Sequence, residues 1–139
     1  GGVPIGAVST TEEISSVMTP GTHGTTFGGS PLVCVAGCAT LDIMKRDRIV
    51  EHSKALGAEW RSKISAIGSD RIVDVRGYGL MTGVEMDSPE TASEIQRRCR
   101  ENGILVNVAH GKTIRLIPPL IITSEQTDAF TDILRDILS

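Results

Sequence analysis

Residues 72–86 read Ile72-Val73-Asp74-Val75-Arg76-Gly77-Tyr78-Gly79-Leu80-Met81-Thr82-Gly83-Val84-Glu85-Met86, and this stretch decides the fold. Ile72 to Val75 is a short strand-like run, and Gly77-Tyr78-Gly79 turns the chain. Leu80, Thr82, Val84 and Met86 then alternate with Met81, Gly83 and Glu85, the period-2 pattern of a half-buried strand. Two strands therefore follow one another with no helix between them.

Outward from this pair the pattern turns helical on both sides. Upstream, Leu32, Val35, Ala36, Ala39 and Ile43 recur at three and four residues after a Ser30-Pro31 start. The cluster Lys45-Arg46-Asp47-Arg48 marks a break. A second helical run places Ile49, Leu56, Trp60, Ile64 and Ile67 on one face, and Gly68 suits its left-handed end. Before these helices, Val3 to Val8 reads as a short apolar strand, Glu12 to Met18 as a short helix and Pro20-Gly21 as a turn. Downstream, Ser88-Pro89 repeats the cap-and-proline start, with Ala92, Ile95 and Cys99 facing inward before a stop at Gly103. Ile104 to Val108 and Thr113 to Ile117 form two more strands, joined by the turn Ala109-His110-Gly111-Lys112 and ended by Pro118-Pro119. Thr123-Ser124-Glu125-Gln126 fits a capping box for a last helix burying Ala129, Phe130, Ile133, Leu134 and Ile137. Helices and strands do not alternate strictly. The fold class is α+β, with helices on one face of a small, largely antiparallel sheet.

Composition narrows the function. The 139 residues suffice for one domain with a real core, and an aromatic content of 3% makes that core aliphatic. A formal net charge of −3 argues against a nucleic-acid surface, and no stretch is long enough to span a membrane. Arg97, Arg98 and Arg100 read as a solvated helix face. Cys34, Cys38 and Cys99 lack metal-ligand spacing; they read as buried small hydrophobes, and their unpaired thiols point to a reducing, cytoplasmic compartment.

Two places carry candidate chemistry. Gly24-Thr25-Thr26-Phe27-Gly28-Gly29-Ser30-Pro31 sets hydroxyls and glycines before a helix start. It reads either as a tight capped loop, with Ser30 as cap, or as an anion site at the positive end of a helix. Arg115, inside the apolar strand Ile114-Arg115-Leu116-Ile117, either faces solvent or holds a carboxylate through its two-pronged guanidinium. His23 and His110 lie beside glycines in loops, where solvation is the default. Tyr78 and Asn107 are further polar contacts. No paired-carboxylate or metal constellation is present.

Five runs together resemble one family: Gly1-Gly2-Val3-Pro4-Ile5-Gly6-Ala7, His23 to Leu32, Arg76 to Gly83, Gly103-Ile104-Leu105-Val106-Asn107-Val108, and Ile114 to Leu120. They look like the C-terminal part of a class III pyridoxal-phosphate aminotransferase of fold type I, nearest to its acetylornithine group. The resemblance implies residues 1–30 as the tail of a larger upstream domain, 31–68 as a long helical connection and 69–139 as a small α+β domain. It implies that the chain begins just after the Schiff-base lysine, since Lys45, Lys54, Lys63 and Lys112 do not match that context, and that this segment by itself is inactive. It places Thr26 on the phosphate of pyridoxal 5'-phosphate, reaching across a homodimer, and Thr25 against substrate. Arg115 falls where the family contacts a substrate carboxylate or pairs with an upstream Glu. Ser30 departs from the family's Asn. The implied reaction moves an amino group from N-acetylornithine to 2-oxoglutarate. Ornithine, succinylornithine and 4-aminobutyrate are alternative donors, and a stand-alone anion-binding module is the alternative class.

Overall fold

The computed structural model describes residues 2–139, in two compact units, Gly1–Asp47 and Arg48–Ser139. The first holds a short helix α1 (Glu12–Ser15) and the long α2 (Pro31–Arg46). Pro31 occupies the first turn of α2, where its missing N–H is no loss, and Ser30 takes the cap position with extended backbone. The Ser30 hydroxyl makes no cap hydrogen bond, contrary to the sequence expectation. Val3 to Val8 is irregular chain and not a strand: among the described residues no strand pairs with it to complete a ladder.

The second unit opens with α3 (Ile49–Ser65), which starts after Arg48 in the left-handed conformation (φ 52°). Four strands follow, β1 (Ile72–Tyr78), β2 (Met81–Met86), β3 (Asn107–Ala109) and β4 (Thr113–Leu116), with α4 (Pro89–Glu101) between β2 and β3 and α5 (Ser124–Leu138) at the end. The sheet order is β1-β2-β4-β3 and every pairing is antiparallel. Leu80, Thr82, Val84 and Met86 of the decisive stretch are all buried, as their alternation requires. With Ile114 and Leu116 they meet Leu56, Trp60 and Ile64 of α3, Ile95 and Cys99 of α4, and Phe130 and Leu134 of α5. Trp60 stands edge-on to Phe130, centroids 5.7 Å apart, and its indole N–H donates to Thr131 Oγ1 at 3.1 Å. The second unit is thus α+β, with α3, α4 and α5 on one sheet face.

Several boundaries differ from the sequence reading. β1 runs through Gly77 to Tyr78, so the hairpin turn is Gly79-Leu80. That turn is held by α3: Arg61 donates to the Gly79 carbonyl at 2.6 Å, and the Leu80 N–H donates to Ser53 Oγ at 3.2 Å. Gly57 lets the helix backbone approach it, since a Cβ there would lie 1.8 Å from the Gly79 oxygen. β3 is three residues long, and Ile104 to Val106 lie outside the sheet, where Gln96 donates to the Val106 carbonyl at 3.1 Å. The β3–β4 loop has three residues, His110 to Lys112, because Ala109 pairs with Thr113. Ile117 falls just past β4. Ser88 and Thr123 cap α4 and α5 as expected, the latter with a complete capping box. Ala129 is exposed, and Thr127 and Thr131 take buried places on α5 instead. Cys38 is exposed and Cys34 half-buried; of the three cysteines Cys99 alone is buried.

Candidate functional site

The loop ahead of α2 closes on itself through Thr25. The Gly28 N–H donates to Thr25 Oγ1 at 3.1 Å, and the Ser30 N–H reaches the Phe27 carbonyl at 3.3 Å. Gly29 sits in the left-handed region (φ 75°), and a Cβ on Gly28 would fall 2.2 Å from the Thr25 methyl, so both glycines are required by the turn. Thr26 is exposed, and its hydroxyl has no partner among the described residues. At the start of α2, the first-turn N–H groups of Leu32 and Val33 have no acceptor inside the helix. Free donors at the positive end of a 16-residue helix fit a phosphate. Thr25 differs from Thr26: its oxygen is already an acceptor within the loop, so it shapes the turn.

The second candidate lies in the other unit, on the sheet face away from the helices. Strand register sets Arg76, Gly83, Arg115 and Asn107 in one row across the four strands. Asp74, Glu85 and Thr113 make the next row. Arg76 donates to Asp74 and to Glu85, each at 2.8 Å, and Lys112 adds a contact to Glu85 at 3.0 Å. Lys112 foremost, then Arg76, holds the Glu85 carboxyl below the usual glutamate range. Both carboxylates of this face are thereby engaged. Arg115 is exposed and has no ion-pair partner among the described residues. It opens onto a small cleft of about 270 Å³ with Leu105, Val106, Asn107 and Ile117.

Other candidates fall away. His23 and His110 are exposed, the latter holding the β3–β4 loop at φ 50°. Tyr78 is 87% exposed at the end of β1. His52, which the sequence reading passed over, ties α3 to the segment before α5 through the Ile122 carbonyl at 2.9 Å, a structural link. A larger cleft, about 810 Å³, is walled by Trp60, Ile104, Pro118, Ile122 and Phe130 and has no ionisable lining, so it offers no acid–base chemistry. No group of three or more His, Cys, Asp or Glu among the described residues could hold a metal ion. Among the described residues no helix is long and apolar enough to cross a membrane.

The α+β frame, with its antiparallel sheet, is the fold class that the sequence pattern predicts. The family model for class III aminotransferases matches residues 1–138, and the chain belongs to that family. Among curated relatives, the acetylornithine aminotransferase of Methanothermobacter thermautotrophicus is 39% identical over 100% of this chain and 36% of its own length. The chain spans about a third of the length of the curated relatives it matches. Among solved structures, the acetylornithine aminotransferase from Elizabethkingia anophelis superposes with a TM-score of 0.80 at 38% identity, over 90% of this chain and 32% of that one. An ornithine aminotransferase from Toxoplasma gondii, described with partial occupancy of PLP at its active site, gives 0.80 at 33% identity, over 91% and 30%.

Proposed function

We propose that this chain is the C-terminal part of an aminotransferase that moves the amino group of N-acetylornithine to 2-oxoglutarate, a step of arginine biosynthesis, and that it works in a homodimer. The observation that carries the reading is the match, along the whole chain, to relatives named acetylornithine aminotransferase. Pyridoxal phosphate, when bound, supplies the electron sink for the substrate's Cα–H bond. The rest falls to the protein. Thr26 donates its free hydroxyl to the cofactor phosphate, and the first-turn amides of α2 add the field of the helix terminus. Thr25, locked by Gly28, keeps that hydroxyl presented and stands beside the substrate. Arg115 orients the substrate by taking both oxygens of a carboxylate.

The homodimer is part of this reading. Thr26 serves the active site of the second copy, so cofactor binding and assembly are coupled. Exposed Phe27, Leu32 and Val35 beside the loop support a covered surface there.

The test is Thr26→Val in the full-length enzyme that carries this segment. Losing a hydrogen bond to a charged group is worth roughly 1.5–3 kcal/mol, so cofactor retention in equilibrium dialysis should fall about tenfold to a hundredfold. Unchanged retention overturns the role of Thr26. Ornithine aminotransferases superpose equally well, so ornithine is the second reading for the amino donor. A higher kcat/KM for ornithine than for N-acetylornithine would select it.

A further inference from the structure

The outer sheet face has a charge imbalance with a definite location. Asp74 and Glu85 are both taken by Arg76, and Lys112 also binds Glu85. Two cations thus take up both carboxylates, and the third cation of this face, Arg115, is left over. Directly opposite Arg115 in the β3–β4 register is Asn107. Cross-strand partners on one face bring their Cβ atoms to about 4.5–5.5 Å. Both side chains are exposed and line the same cleft, and no hydrogen bond joins them or ties the Asn107 carboxamide elsewhere among the described residues. Exposed Leu105 and Ile117 flank the pair with apolar surface.

Guanidinium is a pure donor that takes both oxygens of a carboxylate in its plane. Those oxygens have lone pairs left over. A neighbouring carboxamide can donate to one of them without adding charge, which an Asp at that place would do. We infer that Asn107 is a specificity-determining partner of Arg115: its carboxamide N–H supplies a third hydrogen bond to the carboxylate of a small amino or oxo acid whose methylenes lie against Leu105 and Ile117. This rests on the reading of Arg115 given above and names a residue that reading does not use.

Glutarate, an unreactive dicarboxylate, is the probe, with its dissociation constant measured by calorimetry on the full-length enzyme. Arg115→Ala should weaken binding about a hundredfold, and Asn107→Ala about tenfold. Asn107→Asp, nearly the same shape, should weaken it more than Asn107→Ala, because the new carboxylate occupies Arg115. The Asp variant keeps the test open if the Ala variant disturbs the short edge strand. Wild-type affinity in both Asn107 variants, with loss in Arg115→Ala, overturns the role of Asn107 and leaves the carboxylate reading standing. Wild-type affinity in Arg115→Ala as well brings down both.

Discussion

The two units spend their apolar side chains in opposite ways. In Arg48–Ser139, three helices and a sheet close Ile64, Val84, Met86, Ile95, Ile114 and Leu134 to zero exposure. In Gly1–Asp47, no described residue is buried, and Leu32, Val35 and Leu41 of α2 are each about two-thirds exposed or more. Structure in the second unit is set by tertiary burial, which fixes register and helix face together. Structure in the first is set by local rules: Pro31 at a helix start, Gly29 in a left-handed turn, a side-chain bond from Gly28 to Thr25. Helices held by local rules alone are marginal in water. The loop that carries Thr26 therefore belongs to the part of the chain with the weakest internal reason to hold its shape, and the sheet face that carries Arg115 to the part with the strongest.

The largest effect expected from this difference is at Gly57. A methyl there would meet the Gly79 carbonyl oxygen at 1.8 Å and its carbon at 2.4 Å. Both are backbone atoms and cannot rotate away. Gly57→Ala should cost about 3 kcal/mol or more, the upper end of overpacking. Leu41→Ala, 66% exposed on α2, should stay within about 0.5 kcal/mol. Urea melts followed by the fluorescence of Trp60, the single tryptophan, read Gly57→Ala, and melts followed by far-UV circular dichroism, which also sees α2, read Leu41→Ala. Equal costs would erase the contrast between the units.

Thiol chemistry sharpens the contrast with a second observable. Cys38 is exposed, Cys34 half-buried and Cys99 buried, and burial pushes the Cys99 thiol up. With an aromatic disulfide reagent, Cys38 should react first, Cys34 more slowly, and Cys99 only as fast as its unit opens. Gly57→Ala should speed the Cys99 reaction and leave Cys38 unchanged. A Cys99 that reacts as fast as Cys38 in the native chain would show that the core is not closed.

How much of this was legible depends on which physics set it. The period-2 run Leu80 to Met86 and the helix faces of α3 and α4 were readable because burial writes itself into spacing. Arg115 stood out as a guanidinium in an apolar strand, and the structure leaves it exposed; Thr26 was singled out only by the family resemblance. Asn107 was named among the polar residues, yet its partner was out of reach. A four-residue turn at Ala109 to Lys112 pairs Val106 with Arg115, whereas the observed three-residue loop pairs Asn107 with it. One residue of register swaps the faces of a strand, and turn length is weakly encoded where His110 and Gly111 both accept positive φ. Gly57 gave no local signal, since what forbids a side chain there is the Gly79 carbonyl, 22 residues along the chain. Ser30 was misread because the residue type suits a cap whether or not its oxygen turns inward. Cys38 and Ala129 were placed inward because a helical repeat alone does not say how wide the buried stripe is.

The smallest effect concerns charge, and it too divides the units. Glu85 is held below the ordinary glutamate range by Lys112 and Arg76, partners distant in sequence that only folding brings to it. Its folded-state value is lowered. The stabilisation is therefore present above the unfolded value, and it drains away as pH falls through the carboxylate range toward the folded one. Asp47 is also lowered, by Arg46, but those residues are neighbours in the chain and can pair in the unfolded state as well. Glu85→Gln should thus flatten the acid limb of a stability-versus-pH curve, and Asp47→Asn should leave it as it is. Both pairs are solvent-accessible, so the Glu85 effect should be modest and shrink in high salt. Urea midpoints between neutral and mildly acidic pH, at low and high salt, decide it. A flattened curve from Asp47→Asn would mean that Arg46 and Asp47 are brought together by folding, and the first unit would then hold more tertiary structure than its exposed side chains indicate.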